Sequence, residues 1–358
     1  MKKLSSTRDR NSAAWFSPRQ WAAFERLIYN LSVWLLLGLY LMPLAFMGVT
    51  ALMSTDQLSS TGSPLYPATT VNFTYQGKDI PVMRVPTAGG EEHWALVNRH
   101  RTSSEFVDPQ NPAGGLIVWQ GNWRELSPVY TFELTWSNFT ILVKNLNVGS
   151  MLATTLTLTL VGEFGVLLSS IVVAYGFARF PLPGGNLLFY ILIATILIPE
   201  KVTFIPTYFI YVIYLHWGGT LYPLLAPWFF GGAVYIFLLR QNFKSLPIEL
   251  EESAMLDGAG TLRRLFSIVL PQSWPVVITV SLLHFFYSWN ETRLASAYLS
   301  TNPDLMPLSF GVQIYQSRQP IQNVIQASTI VVLILPVIVL FLAQRYFMQG
   351  MVITGGEK

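Results

Sequence analysis

The chain has 358 residues and a net charge of +3, and 11% of its residues are charged, against about 25% in typical soluble domains. Its mean hydropathy of +0.43 therefore indicates a protein with several membrane spans. The chain has no Cys, which excludes disulfides, thiolate metal sites and a cysteine nucleophile. Its small net charge says little about partners, and the near balance of acidic and basic residues at 54–130 shows no footprint for nucleic acid.

The first apolar run, residues 31–53, predicts the first transmembrane helix. It exceeds the roughly 7–15 apolar residues of a signal peptide, and about 20 residues suffice to cross a bilayer. Residues 1–30 are polar and rich in Lys and Arg. By the positive-inside rule this segment is expected to lie in the cytoplasm.

Residues 54–130 differ in kind from the segments on either side. Pro, Gly, Thr and charged residues return, and no apolar run is long enough to cross a bilayer. Val71, Phe73 and Tyr75 alternate with polar residues, residues 76–78 read as a turn, and residues 80–85 follow as a returning strand. We predict a small β-rich extracytoplasmic insertion between helices 1 and 2.

Residues 131–348 carry the remaining apolar segments. They predict transmembrane helices 2–6 at about 151–176, 186–213, 221–239, 275–291 and 327–347. Six basic residues lie at 1–30, Arg179 lies in the 177–185 connection, and Arg263 and Arg264 lie in the polar stretch at 247–271, whereas the expected outer loop at 215–221 has none. The sequence thus predicts an all-α polytopic membrane protein with six transmembrane helices and both termini in the cytoplasm, including a short tail at 349–358.

Glu200 stands inside an apolar segment, directly after Pro199. A carboxylate at membrane depth is costly unless it faces a polar cavity or a partner. Two interpretations follow from the residues: Glu200 lines a polar pathway, or it pairs with Lys201 at a helix break.

The stretch 247–271 predicts a cytoplasmic helical hairpin. Pro247 suits a first helical turn, and the acidic residues that follow it favour the positive end of the helix dipole. Gly258 offers a left-handed stop. Thr261 then caps a second helix, which Pro271 ends. Small residues around the turn allow another protein surface to approach the backbone closely, so the hairpin is expected to be a docking element.

Catalytic signatures are absent from the sequence. It has no phosphate-binding G-x4-G-K-[ST] loop, no H-E-x-x-H and no G-x-S-x-G, and its four His residues lack metal-ligand spacing. A membrane protein with a docking hairpin and no catalytic signature of its own is expected to take its energy from another subunit.

The hairpin also carries a resemblance to a known family. Glu252-Ser253-Ala254, then Gly258 after three residues, then Ile268-x-Leu270-Pro271 after nine, resembles the E-A-A-x3-G-x9-I-x-L-P loop of the permease subunits of bacterial ABC importers. Ser253 stands where the first Ala is usual. The stretch from Pro247 through Ala259 is similar to the carbohydrate (maltose-type) branch, and Phe285 with Trp289-Asn290 resembles its F-x3-W-N pattern.

The resemblance implies a non-catalytic permease subunit in the bacterial inner membrane that carries a sugar or sugar-like solute. It implies as partners two ABC ATPase subunits, a second homologous permease, an extracytoplasmic solute-binding protein and membrane lipids, with ATP and Mg²⁺ bound by the ATPases and no cofactor in this chain. It implies an ATPase-coupling contact made of residues in and beside the turn: Glu252, Ser253, Ala254, Asp257, Gly258 and Ala259.

Four residues are candidates for the substrate pathway: Glu200, His284, Trp289 and Asn290. A carboxylate at position 200 can accept hydrogen bonds from sugar hydroxyls. The alternative for His284 is a buried, hydrogen-bonded residue, and the alternatives for Trp289 are an interfacial position or stacking on a sugar ring.

Two alternatives to a sugar importer remain at this point. One is an intramembrane enzyme on a lipid-linked substrate, with Glu200 or Glu291 in a polar cavity; the other is an ABC importer of a non-sugar solute. The 54–130 insertion departs from the shorter connection common in this type of subunit. From its expected outer position it is predicted to contact the binding protein or the sister permease.

Overall fold

A computed structural model describes residues 18–60, 62–87, 89–318 and 321–355. The chain forms two compact units, Met1–Leu134 and Thr135–Lys358. Most of the predicted cytoplasmic N-terminal segment, residues 1–17, and the last three residues of the predicted tail lie outside the described residues.

The first unit opens with a long helix, α1 (Pro18–Ala51), which starts 13 residues before the predicted span. Its apolar side chains are largely exposed, Trp34 to 70% and Leu35 to 73%, as expected of a helix surrounded by lipid. A short helix, α2 (Thr55–Ser59), follows, with Ser54 accepting the Gln57 backbone N–H as its cap.

Eight strands follow α2 in the same unit. They are β1 (Ala68–Thr70), β2 (Asn72–Tyr75), β3 (Lys78–Thr87), β4 (Gly90–Arg99), β5 (Ser103–Val107), β6 (Ile117–Gln120), β7 (Ser127–Pro128) and β8 (Tyr130–Phe132). The larger sheet has the antiparallel order β2-β3-β4-β5-β6, with β7 beside β3, and β1 pairs with β8 separately. The alternating residues at 72–75 pair with 78–81, with a turn at Gln76-Gly77 that has positive φ at both residues.

The second unit is helical. Its helices are α3 (Ser137–Asn145), α4 (Val148–Arg179), α5 (Gly185–Ile196), α6 (Glu200–Tyr208), α7 (Tyr222–Leu225), α8 (Ala233–Ser245), α9 (Glu249–Leu256), α10 (Thr261–Arg264), α11 (Leu270–Gln272), α12 (Trp274–Trp289), α13 (Arg293–Leu299), α14 (Leu308–Arg318) and α15 (Gln322–Gly355). Two π-helical turns, Phe209–Tyr214 and Leu265–Val269, extend α6 and join α10 to α11.

Four stretches are long and apolar enough to span a membrane: Trp21–Ala51, Val148–Arg179, Tyr222–Ser245 and Gln322–Tyr346. Two bent helix pairs raise the number to six if each is one span, namely Gly185–Ile196 with Glu200–Tyr214 and Thr261–Gln272 with Trp274–Trp289. The described part of the chain is therefore a mostly helical protein with four to six candidate spans.

Within the predicted span 186–213 the chain bends by 93° between α5 and α6, at the helix break that the sequence indicates beside Glu200. Pro199, at the start of α6, has no N–H and restricts the residue before it, so a straight helix cannot pass through this point. Two details of the predicted hairpin are wrong. Gly260 rather than Thr261 is the cap residue of α10, and Pro271 lies inside α11 while the bend of 83° falls at Ser273.

The main core of the helical unit forms where α4 packs against α8 and α12. Val166, Ala174, Leu239, Phe243 and Val280 are buried there. Gly165 allows α4 to lie close to the turn Ala226–Phe230 that precedes α8, since a Cβ at this position would lie 2.9 Å from the Phe229 ring. Small residues at helix contacts are a general means of packing helices in lipid.

We predict that Gly165→Ala destabilises the protein relative to Gly176→Ala. Both changes add a methyl to α4 and gain up to about 1 kcal/mol of helix propensity. A Cβ at Gly176 meets no atom within 4 Å, whereas at Gly165 it overpacks Phe229, which costs about 1–3 kcal/mol. The thermal midpoint of the detergent-solubilised protein measures the difference. Equal midpoints for the two variants would contradict this packing.

Candidate functional site

The hairpin predicted at 247–271 begins with α9 and turns at a left-handed glycine. Gly258 has φ +78°, and its N–H donates to the Met255 carbonyl at 3.0 Å. The Ala259 N–H donates to the Ala254 carbonyl at 2.8 Å, which closes the end of α9. Only glycine adopts this backbone conformation without strain, so Gly258 sets the direction in which the chain leaves α9.

A buried carboxylate ties the hairpin to α4. Glu251 Oε1 accepts from Arg179 Nε at 2.6 Å, and its Oε2 accepts from the Tyr175 hydroxyl at 2.7 Å. The Arg179 and Glu251 side chains are 9% and 4% exposed. Arg179 also donates to the Leu246 carbonyl just before α9, at 3.0 Å. This group, Glu251 with Arg179 and Tyr175, is the hairpin anchor.

Sequence reasoning gave Glu251 only a favourable interaction with the helix dipole and missed the anchor. The signal was present: two adjacent acidic residues in α9 cannot face the same side of a helix. One of them must therefore differ in environment from the other. The structure places Glu251 inward, against the basic end of α4, and leaves Glu252 exposed.

The residues predicted to contact the ATPase all lie on the accessible side of the hairpin. Glu252, Ser253, Asp257 and Gly258 are exposed, and Ala254 and Ala259 are half-buried. Two large apolar side chains accompany them, Leu256 at 91% exposed and Leu262 at 67%. An anchored helix with exposed acidic, small and apolar residues at its turn has the properties of a docking surface.

Glu200 lines a cavity of about 240 Å³ between α4, α6, α7, α12 and α13. Its walls carry a second carboxylate, Glu291, the hydroxyl residues Thr203, Thr207 and Ser288, and five aromatic rings, those of Phe204, Tyr211, Trp228, Tyr287 and Tyr298. We refer to it as the solute cavity. Burial raises the pKa of the Tyr298 phenol at the cavity wall.

The partner of Glu200 is not the adjacent Lys201 that the sequence suggested. Its Oε1 accepts from Arg293 Nη2 at 2.6 Å and from the Tyr287 hydroxyl at 3.5 Å. The helical geometry of α6 points successive side chains in different directions, and the tertiary fold brings Arg293 of α13 to Glu200 instead. Both partners are about half exposed, so this ion pair contributes little to stability.

The other three pathway candidates do not line the solute cavity. His284 is fully buried, with its Nδ1 at 2.9 Å from Glu163 Oε2, and its ring packs edge-on against Trp228 at 4.6 Å. His284 therefore packs against Trp228, which lines the solute cavity, without lining the cavity itself. Glu163 also accepts from Ser281 Oγ at 2.5 Å, and sequence reasoning had not singled it out.

Trp289 is 1% exposed, so neither an interfacial position nor stacking on a sugar fits it in this structure. Its ring stacks on Phe285, and its Nε1 donates to the Val332 carbonyl at 3.0 Å, which joins α12 to α15. The Asn290 side chain donates to the Phe286 carbonyl at the end of α12. Within the described residues, no group of three or more His, Asp or Glu is placed to hold a metal ion.

The fold and the two sites define a polytopic membrane permease with a helical docking element. Residues 165–353, more than half of the chain, match the family described as the binding-protein-dependent transport system inner membrane component, and the chain belongs to this family. The family resemblance predicted from the hairpin is confirmed: the protein is a non-catalytic permease subunit of an ABC importer. The alternative of an intramembrane enzyme gains no support.

Curated relatives are similar over most of their length. The osmoprotective compounds uptake permease protein GgtD of Synechocystis is 27% identical, over 71% of this chain and 85% of the relative. The sn-glycerol-3-phosphate transport system permease protein UgpE of Yersinia pestis is 32% identical, over 57% and 73%. The alpha-glucoside transport system permease protein AglG of Rhizobium meliloti is 26% identical, over 63% and 61%.

A solved structure shows the same fold. A chain of a bacterial ABC transporter involved in the import of the acidic polysaccharide alginate aligns over 94% of this chain and 100% of its own length. The TM-score is 0.64 at 16% sequence identity.

We predict that Glu251→Ala destabilises the protein while Glu252→Ala does not. Removing the inner carboxylate leaves Arg179 buried without its counter-ion, a loss of about 3 kcal/mol or more. Removing the exposed carboxylate of Glu252 breaks no buried ion pair. Thermal unfolding of the two variants, purified side by side, measures the contrast, and a similar loss in both would show that the anchor does not stabilise the fold.

Proposed function

We propose that this chain transmits ATP-driven movement of its ATPase partners to the solute cavity through the anchored hairpin. The observation that carries the proposal is the buried ion pair between Glu251 of α9 and Arg179 of α4. Because α4 also lines the solute cavity with Leu158, a force on the hairpin is applied to a helix that borders the cavity. The contact surface consists of Glu252, Ser253, Ala254, Asp257, Gly258 and Ala259.

The partners in this proposal are two ATPase subunits that bind ATP and Mg²⁺, a second homologous permease and an external solute-binding protein. Support comes from the family description, which names binding-protein-dependent transport, and from the lack of a phosphate-binding loop in the sequence. Alternating access needs an element whose position differs between ATP-bound and ATP-free partners. A hairpin tied down by a buried ion pair moves as a body and meets that requirement.

We further propose six spans, with both termini in the cytoplasm and the β-rich sheet outside. The two bent helix pairs, counted as one span each, raise the number of spans from four to six. Arg179 and Lys244 lie in the last turns of α4 and α8, Arg240 lies one turn before Lys244, and Arg263 and Arg264 lie in α10. All five cations fall on the same side in a six-span arrangement, which the positive-inside rule assigns to the cytoplasm.

The solute proposed is a sugar or a similar hydroxyl-rich molecule. The cavity offers aromatic rings for the apolar faces of a sugar ring and two carboxylates that accept from hydroxyl groups. The UgpE relatives are named for the transport of sn-glycerol 3-phosphate. In this chain, Glu200 and Glu291 would repel a phosphate-bearing solute. Arg293, which reaches Glu200, is already paired with that carboxylate. The charges of the cavity therefore favour a neutral solute.

The coupling proposal predicts that Gly258→Pro lowers solute uptake by more than tenfold, while the chain still inserts into the membrane and assembles with its partner subunits. Proline fixes φ near −65°, whereas this position requires φ +78°. Gly260→Ala is the matched control, because Gly260 has φ −66° and accepts an alanine. Uptake and ATP hydrolysis are measured in proteoliposomes that contain the whole importer.

Co-purification in mild detergent supplies the second readout. The native protein is expected to carry a stoichiometric ATPase and a second permease. A wild-type chain that emerges without an ATPase would refute the partnership, and Gly258→Pro that transports normally would refute the role of the turn.

The solute proposal predicts that Glu200→Gln raises the solute concentration for half-maximal uptake severalfold, and that Lys201→Gln does not. The first change removes a charged acceptor from the cavity wall, and the second changes a neighbour that does not line the cavity. Uptake of radiolabelled mono- and disaccharides and of glycerol 3-phosphate is the measurement. Uptake confined to glycerol 3-phosphate would contradict a neutral solute.

A further inference from the structure

A second cavity, about 540 Å³ in volume, lies between the end of α4, the start of α5 and the end of α8. It shares no lining residue with the solute cavity. Among the described residues, Arg179, Arg240 and Lys244 line it and no Asp or Glu does, and residues of the 180–187 connection form part of its wall. We call it the basic pocket.

Two of the three cations in the basic pocket have no carboxylate to neutralise them. Arg179 is committed to Glu251. Arg240 is only 8% exposed, and its guanidinium lies 3.7 Å from the Phe189 ring centre and donates through Nε to the Phe177 carbonyl. Within the described ranges, neither Arg240 nor Lys244 makes an ion pair with a carboxylate. A nearly buried, uncompensated arginine is costly unless an anion approaches it.

The backbone adds further positive potential. Helix α5, twelve residues long, starts at the pocket, and Gly184 before it has φ +69° and offers no side-chain cap. Asn186 and Leu187, in the first turn, line the pocket. The N–H groups of a first helical turn have no partner within the helix, so they favour an anion together with the guanidinium and the ammonium.

The surroundings indicate the source of that anion. The pocket is located where candidate spans Val148–Arg179 and Tyr222–Ser245 end and the bent pair starting at Gly185 begins, which is the level of lipid headgroups. The α5 side chains next to it are apolar and exposed, with Leu187 at 65%, Leu188 at 51% and Ile191 at 55%. A dissolved anion would gain nothing from contact with these apolar side chains, whereas the acyl chains of a lipid would pack against them.

We propose that the basic pocket binds the phosphate headgroup of an anionic phospholipid, whose acyl chains lie along α5. Basic pockets between transmembrane helices on the cytoplasmic side commonly hold such headgroups. Since Arg179 belongs both to the pocket and to the hairpin anchor, a bound lipid lies against the base of the coupling element. The proposal does not depend on which solute the importer carries.

Native mass spectrometry of the delipidated, detergent-solubilised importer tests the site, with phosphatidylglycerol as the probe and phosphatidylcholine as the neutral comparison. Lys244→Gln is the test variant, because Lys244 is exposed and its loss leaves the core intact. Phosphatidylglycerol is expected to bind the wild type more tightly than phosphatidylcholine, and Lys244→Gln is expected to weaken it about fivefold. Lys244→Arg is expected to restore binding.

The matched control is Arg345→Gln, which removes a cation from the second half of α15, outside the pocket, and is expected to leave lipid binding unchanged. Equal binding of phosphatidylglycerol to the wild type and Lys244→Gln would overturn the proposal, as would equal binding of the two lipids by the wild type. Complete displacement by millimolar inorganic phosphate would also overturn it, because the site would then take a free anion rather than a lipid.

Discussion

The buried contact of Glu251 with Arg179 and Tyr175 is the interaction on which the functional arrangement depends. Taking a carboxylate and a guanidinium out of water is expensive, and this pair recovers the cost because its geometry is good and additional hydrogen bonds satisfy both groups. The result is a polar hairpin fixed in position against an apolar helix. A loose hairpin could bind another subunit, but it could not pass on that subunit's movement.

Helix α4 connects the features described for the helical unit. Its end carries Arg179, and its middle carries Glu163, which accepts from Ser281 and contacts His284 on α12. Near its start, the hydroxyl of Thr155 accepts the Leu308 N–H of α14. One long helix thus contacts the hairpin, α12 beside the solute cavity and α14. A displacement of α4 is therefore felt at each of these places, because packed helices shift as bodies.

The ionisable groups at membrane depth follow the same rule as the anchor. Glu163 contacts His284 through its Nδ1 inside the helix bundle, and Glu200 reaches Arg293 at the cavity wall. These four groups are therefore paired, as expected where water is scarce, whereas Lys201 of α6 makes no ion pair among the described residues. The basic pocket departs from this pattern, since Arg240 has an aromatic face and a carbonyl but no carboxylate.

The sequence by itself determined the class of this protein, its apolar segments and the hairpin. Composition and run length depend on local chemistry alone, and the spacing from Glu252 through Gly258 to Pro271 belongs to one continuous stretch. Those properties need no knowledge of which helices touch. The turn at Gly258 followed for the same reason, since a left-handed position favours glycine wherever it occurs.

Only the tertiary structure decided which side chains meet. Glu251 and Arg179 are 72 residues apart in the chain, and Glu200 pairs with a residue of α13 rather than with its neighbour. Trp289 has an aromatic character that suits lipid interfaces, sugar stacking and protein cores equally, and packing against Phe285 and Val332 selected the last. Residue type limits what a side chain can do, but long-range packing chooses its partner, and that choice is not encoded in any local pattern.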